Sequence, residues 1–588
     1  MDNLNLTLPA PNPGTHLLVE TRPDKFNKWL EELPSGNMAR FTSEVADAMS
    51  YINRTDMPIA QRISLTESVD TAYEKIHNFY RPLMKSGPYK GKHAPLSELS
   101  EVYRLTKEMS FAYKTAVYGY LGKSSLFGKN KNLANAINMS LHYLGLMLLE
   151  HYELYSPIPM HVWSEVHKLY YYAEQRDLSE VSMRQDKIKS CFDSAEMTYI
   201  RICLISLSNP YHFKRGDHWE INLYLTQWAS ESIISEDPDD FSEKNCFVID
   251  LESDDKPAAM KTLKNRDNHM LRFVLTRQLI IKLNQHIELI QYTRKSPKDC
   301  FSKNVIARKA IELLEDMLAS WEMKQERKAP RYPKISKMEV IWGISNIYKV
   351  LSLEDPLIPD DASISKEDVL QMIELHWNTV NSSIGGICIS QLKEITQEVD
   401  VGMLVAIRQS INDEDPEKWM LGIICWITGN KRSGTQLGIE YIKGDIQAVQ
   451  LQARKGNNID KGLHASLMVS GEQVLGLNTP TLLTATGLYI ESRAMVLRIG
   501  EEEKYIHARM KVSSSGSVDR FFYQAESKAP VLQPYVEEET KADENTEEID
   551  LSAIPEAPRK GELDDPLKIK KEKNKVVTLD DVIVSKNK

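Results

Sequence analysis

Between Phe41 and Met323, apolar residues return every three or four positions, in stretches separated by Pro, Gly and Asp clusters. That period puts them on one face of a helix. It predicts helices at Phe41–Ile52, Ala60–Tyr80, Leu96–Tyr120, Asn132–Glu153, His161–Gln175, Ser194–Ser208, His218–Ile234, Thr262–Tyr292 and Asn304–Met323. Antiparallel packing of these helices is expected. One short strand interrupts them at Asn245–Leu251, between Asp-Pro-Asp-Asp and Ser-Asp-Asp-Lys-Pro.

Beyond Lys334 the pattern changes. Lys334–Leu351 reads as a β-rich opening, and Ile387–Ile389, Val401–Ile407, Trp419–Ile427 and Gln436–Ile442 are short β-branched runs with turns between them. Such spacing predicts a small barrel. From about Gln450 to Gln524 further runs at Leu475–Leu483, Ala494–Ile499 and Lys504–Val512 predict hairpins. After Ser527 an acidic stretch and then a basic one, both poor in apolar residues, predict a disordered charged tail, within which Val576–Val584 is an apolar patch. The fold class expected is α+β and multidomain. Its parts are a flexible N-terminus at 1–25, one or more helical domains at 26–325, a barrel at 326–450, an additional β unit at 451–526 and the tail at 527–588.

Composition narrows the function. At 588 residues, with 42% hydrophobic positions, the chain can fill several cores. A net charge of −10 argues against general nucleic-acid binding. The six cysteines are scattered without a Cys-x-x-Cys pair, as in a reduced cytoplasmic protein. No stretch of eighteen apolar residues predicts a transmembrane segment, and no secretory signal opens the chain. Phosphate-loop, zinc-protease and nucleophile-elbow motifs are absent, so the expectation is a protein that is not an enzyme and carries no metal and no cofactor.

Two motifs carry chemistry. Arg327-Lys-Ala-Pro-Arg331 pairs two guanidinium groups around a proline, which fixes its own φ and biases Ala329 towards an extended conformation. Arginine grips phosphate oxygens bidentately, stacks on bases and pairs with guanine O6 and N7. About fifty residues on, Asn381-Ser-Ser383-Ile-Gly-Gly386 puts two short hydrogen-bonding side chains two positions apart, on one face of a strand. Gly385 and Gly386 would let backbone amides approach a ligand closely.

With the strands around them and the closing Leu437-Gly-Ile-Glu440, these motifs make the segment 326–450 resemble a PilZ domain, the bacterial receptor module for cyclic di-GMP. The resemblance implies that Arg327 and Arg331 clamp the phosphates and guanines, and that Asn381, Ser383, Gly385 and Gly386 complete the ligand site. The synthase and hydrolase signatures of cyclic dinucleotide metabolism are missing, so the chain is expected to read the signal without making or destroying it. One departure is the stretch from Gly343 to Trp377, longer than PilZ domains usually have, which reads as an inserted acidic loop leading to a short helix. Two functions remain open. The first is a cytoplasmic cyclic di-GMP effector that relays binding to an unidentified protein partner through its helical region. The second is a helical adaptor or chaperone-like scaffold whose barrel is structural.

Overall fold

The computed structural model describes residues 4–11, 19–83, 96–121, 130–182, 194–237, 245–260, 269–296, 300–322, 329–354, 366–392, 399–410, 418–430, 434–455, 458–459, 462–471 and 474–526. Helices come first: α1 (Pro23–Glu32), α2 (Met38–Arg54), α3 (Ile59–Tyr80), α4 (Leu96–Tyr120), α5 (Lys131–Glu153), α6 (Val162–Glu174), α7 (Ala195–Leu207), α8 (Asp217–Trp228), α9 (Arg277–Thr293) and α10 (Ala307–Trp321). Their starts are marked chemically. The side chains of Asn37 and Asn130 accept the backbone N–H groups of Arg40 and Leu133, each at 3.1 Å, capping α2 and α5. Helix α5 is buried along almost its whole length, and α4, α6, α7 and α8 pack around it. Inside this bundle Asp70 accepts hydrogen bonds from Tyr113 (2.5 Å) and Tyr143 (2.6 Å).

Strands β1 (Ile233–Ser235), β2 (Cys246–Asp250), β3 (Ala258–Ala259) and β4 (Leu271–Leu275) form an antiparallel sheet in the order β1-β4-β2-β3. Strand β2 is the one expected at Asn245–Leu251. The helix expected over Thr262–Tyr292 begins only at Arg277, because Leu271–Leu275 pairs with both β1 and β2. Its apolar side chains are as well suited to a doubly covered strand as to a helix.

Strands β5 (Tyr332–Pro333), β6 (Lys337–Trp342), β7 (Glu374–Ser383), β8 (Gly386–Gln391), β9 (Leu404–Gln409), β10 (Met420–Asn430) and β11 (Gly434–Ile442) form a sheet in the order β5-β7-β6-β9-β10-β11-β8. A further β7–β8 pairing closes it into a six-stranded barrel, with β5 added on the outer edge of β7. Trp377, Ile387, Ile389, Val405, Ile424, Leu437 and Ile439 fill its interior. Tyr155, just beyond α5, joins that interior at 2% exposure, with its hydroxyl hydrogen-bonded to Asp400 and 2.9 Å from the Phe213 carbonyl. A side chain of the helical region therefore plugs the barrel.

The β-rich reading of Lys334–Leu351 holds only for β6. Residues Ile344–Glu354 form helix α11, and Lys366–Gln371 form the short helix α12. The acidic loop expected between them, 355–365, lies outside the described residues.

The β unit after the barrel is itself a closed barrel. Strands β12 (Asp445–Lys455), β13 (Asn458–Ile459), β14 (His464–Ser470), β15 (Thr481–Ala485), β16 (Ala494–Ile499), β17 (Glu502–Ser514) and β18 (Val518–Ala525) run in the order β13-β12-β14-β15-β18-β17-β16, and a β12–β16 pairing closes the ring. Leaving out β5 and β13, each barrel has six strands, and their connectivities are identical. In both, the first strand pairs with the second and fourth, the second with the third, the third with the sixth, and the sixth with the fifth, which returns to the fourth. Helix α11 is wedged between the two barrels. Ile344, Ile347 and Val350 share one apolar core with Leu404, Ala406 and Leu421 of the first barrel and Leu467, Val469, Leu483 and Val518 of the second. The long insertion thus supplies the packing that unites two barrels.

Candidate functional site

The outer surface of the first barrel at β7 and β8 gathers most of the motif residues. Strand β7 bulges between Thr379 and Asn381. Before the bulge Trp377 and Thr379 are buried, and after it Asn381 and Ser383 lie opposite Cys388 and Gly386. Ile387 and Ile389 belong to the barrel core, so Gly386 and Cys388, which alternate with them, face outwards, and so do Asn381 and Ser383. The bulge re-aims the strand at the point where the motif begins.

Strand β5 brings the arginine arm to the same surface. Tyr332 pairs with Ser382 and Pro333 with Asn381, so Arg331, one residue earlier, comes level with Ser383. The Arg331 side chain is exposed. Its charge reaches Cys388: burial pushes the Cys388 thiol up to about 11, and the Arg331 guanidinium acts in the opposite direction. Arg331, Asn381, Ser383, Gly385 and Gly386 therefore share one patch. Arg327 lies outside the described residues.

Two motif residues have local work as well. The Ser383 hydroxyl lies 3.3 Å from the Gly386 carbonyl, to which it donates, and 3.4 Å from the Gly385 N–H, which it accepts, tying the two-residue turn Ile384–Gly385. Gly386 is held by its neighbour strand, since a Cβ there would meet the Ile439 carbonyl oxygen at 2.3 Å. Close strand packing is thus a structural reason for glycine at 386. Gly385 has open space where a Cβ would stand.

Sequence reasoning missed Trp426. A second bulge, between Ile424 and Trp426, turns the indole onto the outer face. There it covers Gly438, where a Cβ would fall 1.9 Å from Nε1 and 2.2 Å from Cε2 of the ring. Asn381, Cys388, Gly438 and Trp426 then form one row across four strands. The neighbouring row is Ser383, Gly386, Glu440 and Ile423. Run Trp419–Ile427 looks uniformly apolar, and nothing in it signals a bulge. An arginine, two small polar side chains and a partly buried indole on one outer face can offer a phosphate contact, hydrogen bonds and a stacking surface to a nucleotide.

Comparison with known proteins finds two matching family models and a related receptor. The family model described as the middle PilZ domain of the cyclic-di-GMP receptor FimW matches residues 359–445. The first barrel is a PilZ domain. The match spans β7 to β11, with Asn381, Ser383, Gly385 and Gly386 inside it and β6 and Arg331 before it. A second model, the N-terminal domain of the same receptor, matches residues 24–239 of the helical region. The cyclic-di-GMP receptor FimW of Pseudomonas aeruginosa is 21% identical over 597 residues, which covers 90% of this chain and 95% of that protein. No solved structure matches. Among the described residues no helix is long and apolar enough to cross a membrane, and no group of His, Cys, Asp and Glu is arranged to hold a metal ion.

Around the PilZ barrel the other cysteines are quiet. Burial pushes the Cys425 thiol up to about 11, with the Glu440 carboxylate adding to the shift. Cys203, Cys246, Cys300, Cys388 and Cys425 are all unbridged, in keeping with reduced thiols. Cys191 lies outside the described residues.

Proposed function

We propose that this chain is a cyclic di-GMP receptor, a binding protein rather than an enzyme, which takes its ligand on the outer face of the PilZ barrel. Arg331 is its phosphate and guanine contact, joined by Arg327 of the same sequence motif. Asn381 and Ser383 supply hydrogen bonds, the Gly385–Gly386 turn lines the edge, and Trp426 offers its face to a base. The observation that carries this reading is the register of β5 on β7, which puts Arg331 level with Ser383, two positions along β7 from Asn381. Similarity to a named cyclic-di-GMP receptor along almost the whole chain supports it.

The helical region is the output. Tyr155 belongs to that region yet is buried in the barrel core, so a shift of the barrel wall is felt at the end of α5. Binding biases the helical region between two arrangements, and a cytoplasmic protein partner reads the difference. Isothermal calorimetry with cyclic di-GMP tests the first step. Binding by the full chain, with loss on substituting Arg327→Ala and Arg331→Ala together, is the expected result, and no heat from the unsubstituted chain would refute it.

A second reading draws on the local roles of Ser383 and Gly386. Both residues have structural reasons to be what they are. If those reasons suffice, the chain is a helical adaptor whose barrel is structural, and it captures its partner equally well with or without the dinucleotide and with either arginine replaced.

A further inference from the structure

Next to the motif face lies a cavity of about 570 Å³, where the helical region, the PilZ barrel and the second barrel meet. That volume is within the roughly 300–1,000 Å³ typical of small-molecule sites. The PilZ wall includes Ile423, Cys425 and Glu440. The second barrel contributes Arg520 and Ser513, and the helical region contributes Asp316 and His212. Glu440 is exposed, and it is the strand neighbour of Gly386, which pairs with Ser383. The motif face and the cavity are therefore continuous through Glu440.

Its chemistry is that of a base edge. Among the described residues the Glu440 carboxylate has one side-chain hydrogen-bond contact, the Cys425 thiol at 3.8 Å, which is a weak donor. A carboxylate accepts with both oxygens and donates nothing. Guanine presents N1–H and the N2 amino group side by side on its Watson–Crick edge, two donors that match two carboxylate oxygens. Adenine presents an acceptor at N1, which a carboxylate repels. Across the cavity Arg520, buried in the second barrel, adds a positive charge to the opposite wall. It is held in place by a 2.9 Å hydrogen bond from its Nε to Thr481 Oγ1.

We propose that the cavity is a guanine-reading subsite, in which Glu440 takes the Watson–Crick edge of one base of the dinucleotide anchored at Arg331, facing Arg520 of the second barrel. This rests on the cyclic di-GMP reading above. It assigns base specificity to Glu440 and gives the ligand contact with all three parts of the molecule at once. The second barrel then has a role in binding without a complete site of its own.

Calorimetry on the full chain with cyclic di-GMP and cyclic di-AMP tests it. Glu440→Gln keeps the shape, turns one acceptor into a donor, and is expected to weaken cyclic di-GMP roughly 10- to 100-fold while narrowing the preference over cyclic di-AMP. Ser513→Trp, which fills the cavity from the second barrel, is expected to weaken cyclic di-GMP at least about 10-fold with an unchanged melting temperature. Unchanged affinity and unchanged base preference in both Glu440→Gln and Ser513→Trp would overturn the subsite and leave the receptor reading intact. Failure of the unsubstituted chain to bind either dinucleotide would overturn both.

Discussion

The two barrels share one connectivity and differ in what is attached to it. The PilZ barrel is entered through an arm: Arg331 and β5 precede its first strand, and β5 lies along β7. The second barrel has no such arm, because β12 starts at Asp445, after only Lys443 and Gly444. In the PilZ barrel the second and third strands are joined by the tight Ile384–Gly385 turn, whereas in the second barrel β14 and β15 are separated by the stretch from Gly471 to Pro480. A bulge sets Trp426 over Gly438 on the first. The shared topology makes a stable scaffold, and the arm, the turn and the bulges make a surface that can bind.

The sharpest way to break this comparison is to remove the attachments. Arg331→Ala combined with Asn381→Ala is expected to weaken cyclic di-GMP on the order of 1,000-fold, about 4 kcal/mol, by calorimetry. Arg509→Ala on the second barrel, whose side chain bonds among the described residues to Gln524 at 2.6 Å and 3.0 Å in its own sheet, should leave affinity within about twofold. Titration of the intact chain should saturate with the second barrel contributing no separate site of its own. A second independent binding step, or a loss with Arg509→Ala, would contradict the division of labour.

The wedge between the barrels gives the next effect. Ile347 is fully buried in the core that α11 shares with both barrels. Ile347→Ala should cost about 3 kcal/mol in urea unfolding, since truncating a buried Ile loses transfer energy and leaves a cavity. If the barrels were merely tethered, the cost would fall on one barrel's transition only. Loss of a single cooperative transition into two separated ones is the expected signature.

Trp426 supplies a smaller test. Gly438→Ala puts a methyl group where the indole lies, so the ring must leave its place. Destabilisation of about 1–2 kcal/mol and a roughly tenfold loss of affinity are expected, read by thermal melts and calorimetry. Full affinity with the ring displaced would show that the stacking surface is not used.

How far all this was legible in the sequence depends on whether the deciding interaction is local. Helices α2 to α7 follow directly from the three- and four-residue spacing, and their caps at Asn37, Asn130 and Ser194 sit where the pattern starts. The PilZ strands follow from β-branched runs, and Asn381 and Ser383 from the motif. Helix α11 was hidden because Ile344-Ser-Asn-Ile-Tyr-Lys-Val-Leu351 is rich in β-branched and aromatic residues. Gly343, at φ 77°, turns the chain out of β6 into the helix, and packing against two barrels then overrides local propensity. Closure of the second barrel depends on β12 meeting β16, far apart in sequence, and no local pattern announces it. The same holds for the Tyr155 plug, whose partner Asp400 is 245 residues away.

The smallest expected effect concerns what the second barrel has in place of a ligand site. Asp519 is 1% exposed and accepts from Lys511 Nζ at 2.9 Å and from the Gly487 N–H at 3.2 Å. Burial alone would raise its pKa, but the hydrogen bonds from Lys511, Ser514 and Gly487 and the Lys511 charge outweigh it and leave the carboxyl below its ordinary 3.8. A depressed carboxyl pKa means that the unfolded chain holds the proton more readily. The stabilisation is therefore complete above pH 3.8 and is lost as the pH falls through the lower folded value. Asp519→Asn should cost about 1 kcal/mol in urea unfolding at pH 7, and the difference from the unsubstituted chain should shrink as the pH is lowered below 3.8. Cyclic di-GMP affinity should not move. A pH-independent cost would mean that Asp519 is held by shape rather than by charge, and that this barrel's surface is packed against its neighbours instead of being electrostatically tied to itself.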